Sequence, residues 1–153
     1  MRDLDDLLAG LVEQIQALNG RVDELERQPG PNLLIPWTDY SAISTITGWS
    51  AYTTQLIYYK KIGKRVDFEF FIAGTSNTTT ARFTLPYASA ASGLIGEGLV
   101  SRAQDNGAAI TTACAWELSS GANIVNCYTN HALGAWTAAN AKRVIGQGWY
   151  ETA

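Results

Sequence analysis

The sequence predicts a mainly β protein: an N-terminal parallel coiled-coil helix followed by an antiparallel β-sandwich (jelly-roll) head. Three observations carry this. Apolar residues within 1–28 repeat in heptads. Pro29, Gly30 and Pro31 then forbid a continuing helix. Past Asn32 the apolar period falls from 3.5 to 2. The predicted division is a stalk over 1–28, a break over 29–32 and a head over 33–153.

In the stalk, Leu4, Leu8, Leu11, Ile15, Leu18, Val22 and Leu25 follow one another at spacings of 4, 3, 4, 3, 4 and 3. Met1, Leu8, Ile15 and Val22 take the a positions, and Leu4, Leu11, Leu18 and Leu25 the d positions. Gly10 and Gly20 sit at outer positions, and each costs about 1 kcal/mol against Ala. Such a helix needs partner chains. β-branched Ile15 and Val22 at a, with Leu at d, lean towards two strands. Leu7 at g and Val12 at e widen the apolar stripe, which suits three. Arg21 at g and Glu26 at the following e can bridge neighbouring parallel helices while the Arg stem covers the seam. The strict heptads and the breaker disfavour a lone amphipathic helix packed on its own domain.

The head reads as short strands separated by turns. Trp37–Tyr40 and Ile43–Trp49 are weak strands. Gln55–Lys60 is the hairpin partner of Val66–Ile72, with Ile62-Gly63-Lys64 as the turn. Val66, Phe68, Phe70 and Ile72 face inward and Asp67 and Glu69 outward, while Phe71 breaks the alternation. Thr78–Leu85 is a strand stopped by Pro86. Gly98–Arg102 follows, then an Asp105-Asn106-Gly107 turn. Ile110, Thr112, Cys114, Trp116 and Leu118 share one strand face. A four-residue loop at Ser119–Ala122 would return the chain through Asn123–Thr129 and set Cys114 opposite Cys127. A bridge there demands unusual geometry, so two buried free thiols are the reading. Lys142–Tyr150 closes the domain. Ala-rich 88–93 and 132–141 read as loops.

Composition narrows the function. Of 153 residues, 46% are hydrophobic and 16% charged, with a net charge of −3. The stalk carries −4 and the remainder +1, so neither half has the basic excess of a nucleic-acid binder. No apolar run reaches the roughly 20 residues of a membrane span, and no secretory signal is evident. One histidine and two cysteines leave no metal or cofactor set. His131 has no identifiable nucleophile, and nothing pairs the seven head carboxylates for glycoside cleavage. The chain is not read as an enzyme.

The string Tyr58-Tyr59-Lys60-Lys61-Ile62-Gly63-Lys64-Arg65-Val66-Asp67-Phe68-Glu69-Phe70, a Gly/Thr loop and Arg82-Phe83-Thr84-Leu85-Pro86 resemble the tip domains of bacteriophage tail fibres and receptor-binding proteins. The likeness is firm over about 30 residues and stylistic over the rest of the head. It implies a homotrimer of jelly-roll heads, similar in outline to C1q and tumour-necrosis-factor heads. It also implies a head that binds a host-surface glycan or protein receptor, virion components at the N-terminus, and a place in the virion after synthesis in the host cytoplasm. The chain would be a small accessory fibre or a piece of a longer one. The alternatives are a structural trimerisation or head-decoration fibre that binds no receptor and, less favoured, a small glycan depolymerase.

A head of about 120 residues has a small core for five tryptophans, so some aromatics should line subunit contacts. Phe71, Tyr58 and Tyr150 are the candidates. Three loops, 74–79, 102–106 and 128–136, offer receptor-binding groups: Asn77, Asp105, Asn106, Asn130, His131 and Trp136. Sugars need an aromatic face for C–H surface and Asn, Asp or His for hydroxyls. Each residue taken singly is more often structural: Trp136 packed under its own loop, Asn130 holding a turn. The basic turn of Lys60, Lys61, Lys64 and Arg65 is more often a solvated hairpin end than an anion site.

Overall fold

The structure, a computed structural model, describes residues 4–27, 35–91 and 96–153, with helix side chains described over 8–22. The expected break at 29–32 and the side chains of Leu4, Leu25 and Glu26 lie outside the described residues. The chain divides into two units, Met1–Ile35 and Pro36–Ala153.

The described residues 4–27 of the first unit form the helix α1 (Leu4–Arg27). Its 24 residues span about 36 Å at 1.5 Å per residue. Leu8, Leu11, Val12, Ile15, Leu18 and Val22 each remain 49–59% exposed. The heptad face is therefore open to solvent in the single chain. Arg21 lies on the same helix.

Among its described residues the second unit has ten strands. They are β1 (Thr38–Asp39), β2 (Ile46–Thr47), β3 (Trp49–Ile62), β4 (Arg65–Ser76), β5 (Arg82–Thr84), β6 (Gly96–Asp105), β7 (Ala108–Ala109), β8 (Cys114–Leu118), β9 (Ile124–Tyr128) and β10 (Ala141–Glu151). All pair antiparallel in one hydrogen-bonded path, β1-β3-β4-β10-β6-β8-β9-β5-β2, with β7 beside β6. β2 ends this path and β3 lies next to its other end, yet Gly48 alone separates them in the chain. The sheet must curl until its two ends meet.

Two tight turns have positive backbone φ. β3 and β4 run in register from Ile62↔Arg65 around Gly63-Lys64. Gly63 has φ +59°, so the first central residue takes the positive φ of a type II′ turn. Asn106 (φ +50°) and Gly107 (φ +81°) form a type I′ turn between β6 and β7.

The alternation expected for β4 holds: Val66, Phe68, Phe70 and Ile72 are at most 2% exposed. Phe68 lies at the centre, with the rings of Phe70, Phe83, Trp116 and Tyr150 at 5.0–6.4 Å. Phe83 of β5 meets Phe70 of β4 at 4.8 Å, so opposite halves of the curl pack face to face.

Several expectations are corrected. Of the strand read over 78–85, only Arg82–Thr84 is extended in the sheet. The hairpin after β8 is longer than four residues. Leu118 pairs with Val125, and Trp116, not Cys114, faces Cys127. The cause is Asn123, whose amide donates to the Leu85 carbonyl (3.0 Å) while its own carbonyl accepts from Leu85 N–H (2.7 Å). That pulls it out of the hairpin. Both thiols are buried and unbridged, and burial pushes each up from its ordinary pKa. Tyr150 does not face outward. It shares the inner face with Val144 at 3% exposure, and its hydroxyl donates to the Tyr87 carbonyl at 2.8 Å.

Closure depends on Gly48. Its φ is +119°, and a Cβ there would stand 2.2 Å from the Thr80 carbonyl oxygen. Gly63 also has positive φ but open space around it. Gly63→Ala should cost about 1 kcal/mol for the left-handed backbone alone. Gly48→Ala should cost about 3 kcal/mol or more, since backbone must also move. Urea midpoints at one protein concentration and unchanged slope measure both. Equal losses would show that the sheet ends are not locked at this residue.

Candidate functional site

The antiparallel register brings all three predicted loops to one end of the head. The Asp105 carboxylate accepts from Thr137 N–H (3.0 and 3.1 Å) and from the Thr137 hydroxyl (2.8 Å). The Ser76 hydroxyl donates to the Thr137 carbonyl (2.6 Å), and Trp136 N–H donates to the Thr79 carbonyl (3.0 Å). Asn106 accepts from the Asn140 amide. Asn77 is exposed, and its N–H reaches the Gly48 carbonyl at 3.3 Å.

Most of these groups are occupied. Asn130 Oδ1 accepts from Ala132 N–H (2.9 Å) and Gly134 N–H (3.0 Å), which closes its own loop. Trp136 offers no sugar platform: it is 3% exposed, and its indole N–H donates to the Cys127 carbonyl at 2.7 Å. His131 stands exposed with its loop, over a hollow lined by Glu97, Leu99, Glu117 and Leu133.

Beneath this end lies a residue that the sequence reading passed over. Lys142 is 1% exposed. It has the same strand parity as Val144 and Tyr150, and that parity was the available signal. Its ammonium donates to the carbonyls of Gly48 (3.1 Å), Thr78 (2.7 Å) and Thr80 (2.8 Å). Trp49 and Trp136 flank it, with ring centroids at 5.3 and 5.8 Å. The Trp49 indole N–H donates to the Lys142 carbonyl at 3.1 Å. Burial lowers the amine to about 8, and the charge of Asp105 opposes the shift.

At the opposite end of β6 and β10 the sheet opens. The two strands pair from Arg143↔Gln104 to Gly146↔Val100, and the register shifts between Ile145 and Gly146. Beyond that point the Gln147 carbonyl accepts from the Trp116 indole N–H at 3.1 Å. The ring fills the slit because its neighbours lack side chains. A Cβ at Gly98 would fall 2.5 Å from its nitrogen, and one at Gly148 2.1 Å from its six-membered ring. The result is a cleft of about 500 Å³ lined by Gly96, Glu97, Trp116, Gln147, Trp149 and Glu151, with Ser89 and Ala90 at its end. Trp149 is 52% exposed, and Arg65 stacks on it at 4.7 Å. Two carboxylates that the sequence left unpaired share this cleft.

The basic turn is largely absorbed by aromatic faces. Lys60 lies 4.9 Å from Trp37 and Lys61 4.3 Å from Tyr87. On the outer sheet face, Leu56, Phe71 and Ile145 form one row across β3, β4 and β10, with Tyr58 beside them. Arg143 stands 6.0 Å from Phe71, and its buried Nε has no partner among the described residues.

Lys142→Met should cost about 2–4 kcal/mol at pH 7, because it removes three charge-assisted bonds and leaves the carbonyls only their longer partners, Asn77 N–H, Ser76 Oγ and Thr78 Oγ1, at 3.3–3.5 Å. The pH dependence has a definite sign. Folded Lys142 loses its proton near 8, unfolded lysine near 10.5. Between those values the unfolded chain binds more protons, so stability relative to Lys142→Met should rise with pH. The rise should total about 3 kcal/mol over that window. Denaturant titrations of both proteins from pH 7 to 10.5 test it, and a flat difference would mean the amine is not desolvated.

Compared with protein-family models, curated proteins and solved structures, the chain matches none.

Proposed function

We propose that the protein is a homotrimeric fibre protein of the bacteriophage tail-fibre or receptor-binding type, whose jelly-roll-like head attaches to a molecule on a host surface. The observation that carries this is the open heptad face of α1. Six apolar side chains about half exposed on one helix have no role in a lone chain. A parallel coiled coil buries them, and the e and g apolar residues Val12 and Leu7 favour three strands over two. The stalk would then bring three heads together.

The outer row of Leu56, Phe71 and Ile145 supports side-by-side heads. Leu56 keeps 39% of its surface exposed. A second copy laid on this row would cover it. Phe71 and Tyr58 therefore remain the expected subunit contacts, with Ile145 in place of the inward-facing Tyr150. Three weak sites on one rigid assembly give avidity beyond any single site.

Light scattering on the full chain should return three times the 16.6 kDa chain mass. Leu11→Asp combined with Leu18→Asp should return one chain mass. The same variant should bind bacterial cells at least tenfold more weakly, through lost avidity. A dimer or monomer in the unaltered chain would overturn the trimer. A trimer that binds no cell surface in a broad bacterial panel would favour the structural-cap role.

A further inference from the structure

We propose that the cleft between β10 and β6 is a binding site for one uncharged pyranose, seated against Trp149 and hydrogen-bonded by Glu97, Gln147 and Glu151. The proposal rests on the reading of the head as a receptor-binding module, and it moves the site away from the loops.

Its first support is the difference between the two ends of the head. At the loop end, Asp105, Asn106, Asn130 and Trp136 spend their polar groups on their own backbone and neighbours. At the cleft, the side chains of Glu97, Gln147 and Glu151 make no hydrogen bond among the described residues, and all three are exposed. Unused acceptors converging on an indole are what a ring of hydroxyls requires.

The second support is the aromatic surface. Trp149 is half exposed on a strand, where its position is fixed by β-sheet pairing to Asp67. It already has a cation, since the Arg65 guanidinium stacks on it and is itself held by Asp67 at 2.8 Å. What the indole lacks is apolar C–H surface, which one face of a pyranose supplies.

The third support is charge. The cleft lining holds two carboxylates and no lysine or arginine. A carboxylated or phosphorylated sugar would meet like charge there, whereas neutral hydroxyls donate to carboxylates readily. The volume of about 500 Å³ lies in the range of small-ligand sites and takes one or two sugar rings. Trp149 stands four residues along β10 from Ile145, or about 13 Å at 3.3 Å per residue. Trp149 therefore flanks the proposed subunit row, and Gln147, in register with Tyr58 through Glu69, marks the border between row and cleft.

Saturation-transfer NMR on the full chain tests this. The probes are methyl glucoside, methyl galactoside, methyl mannoside and N-acetylglucosamine, with glucuronate and a lysine-rich peptide as contrasts. At least one neutral pyranoside should show transfer, and glucuronate and the peptide should show less. Trp149→Ala should weaken that signal at least tenfold and Glu151→Gln or Glu97→Gln severalfold, while Thr79→Ala at an exposed position of the 74–79 loop leaves it unchanged. Thermal unfolding shows that each variant is folded, and Glu151→Gln retains the Trp149 surface if Trp149→Ala fails to fold. No transfer to any neutral pyranoside, transfer undiminished in all three cleft variants, or a stronger response to glucuronate or the peptide would overturn the proposal. Cell binding separates the two readings. A chain that attaches to cells but ignores neutral pyranosides keeps its receptor role and loses this site, and a chain that does neither loses both.

Discussion

The head depends on a sheet that is curled until its ends meet, and one buried ammonium ties the joint. Lys142 sits where β3 leaves Gly48, where the chain after β4 turns back, and where β10 begins. Its three hydrogen bonds go to backbone carbonyls of segments that have no ladder with each other: Gly48 on one side, Thr78 and Thr80 on the other. A carbonyl buried without a donor costs about 1–3 kcal/mol. The loops at this end cannot open without exposing or stranding several at once. The flanking indoles of Trp49 and Trp136 replace part of the solvation that the charge loses. The lowered pKa of the amine shows that they do not replace all of it.

The same constraint explains why the predicted loops make a rigid end. Asp105, Ser76 and Thr137 form one chain of hydrogen bonds across three connections. Trp136 drops into the core beside Lys142 and hands its N–H to Cys127. A polar loop residue has one set of donors and acceptors. Where closing the fold consumes that set, little is left for a ligand.

Much of the fold could be read in the sequence, and the misses have physical causes. Heptads in 1–28 gave α1, and the alternation from Val66 to Ile72 gave the inner face of β4, because side-chain direction follows directly from period. Glycine at Gly63 and the Asn106-Gly107 pair marked their turns, since only certain residues take positive φ cheaply. The register of β8 with β9 was not legible. It is decided by Asn123 reaching Leu85, 38 residues away, and no local pattern encodes that. Tyr150 was misplaced and Lys142 passed over for a related reason. A hydroxyl and an ammonium look like surface groups until a carbonyl, 62 or more residues distant, accepts from them. The candidate site was the least legible part. Glu97, Gln147, Trp149 and Glu151 belong to two strands far apart in sequence, and nothing within either strand marks a site.

What creates the cleft is a packing conflict that glycine resolves. Trp116 is one of three tryptophans in the core, and on the inner face of β8 it points at the seam between β6 and β10. Continuing the ladder between those strands past Gly146 would leave no room for its ring. The strands part instead, and the indole N–H takes the place of the missing ladder donor at the Gln147 carbonyl. Gly98 and Gly148 are the residues that the ring touches, and any Cβ there would collide with it. Once the strands have separated, their outward side chains no longer interlock across the seam, although β10 stays paired to β4 and β6 to β8. Glu97 on one lip and Gln147, Trp149 and Glu151 on the other are left facing open space. Satisfying a large core residue thus exposes polar and aromatic groups at a fixed separation, held by strands and not by loops. Strands hold side chains more rigidly than loops do, and a site preorganised in this way loses less entropy on binding. On these grounds the seam opened by Trp116, and not the well-bonded loop end, is where the head is equipped to hold a ligand.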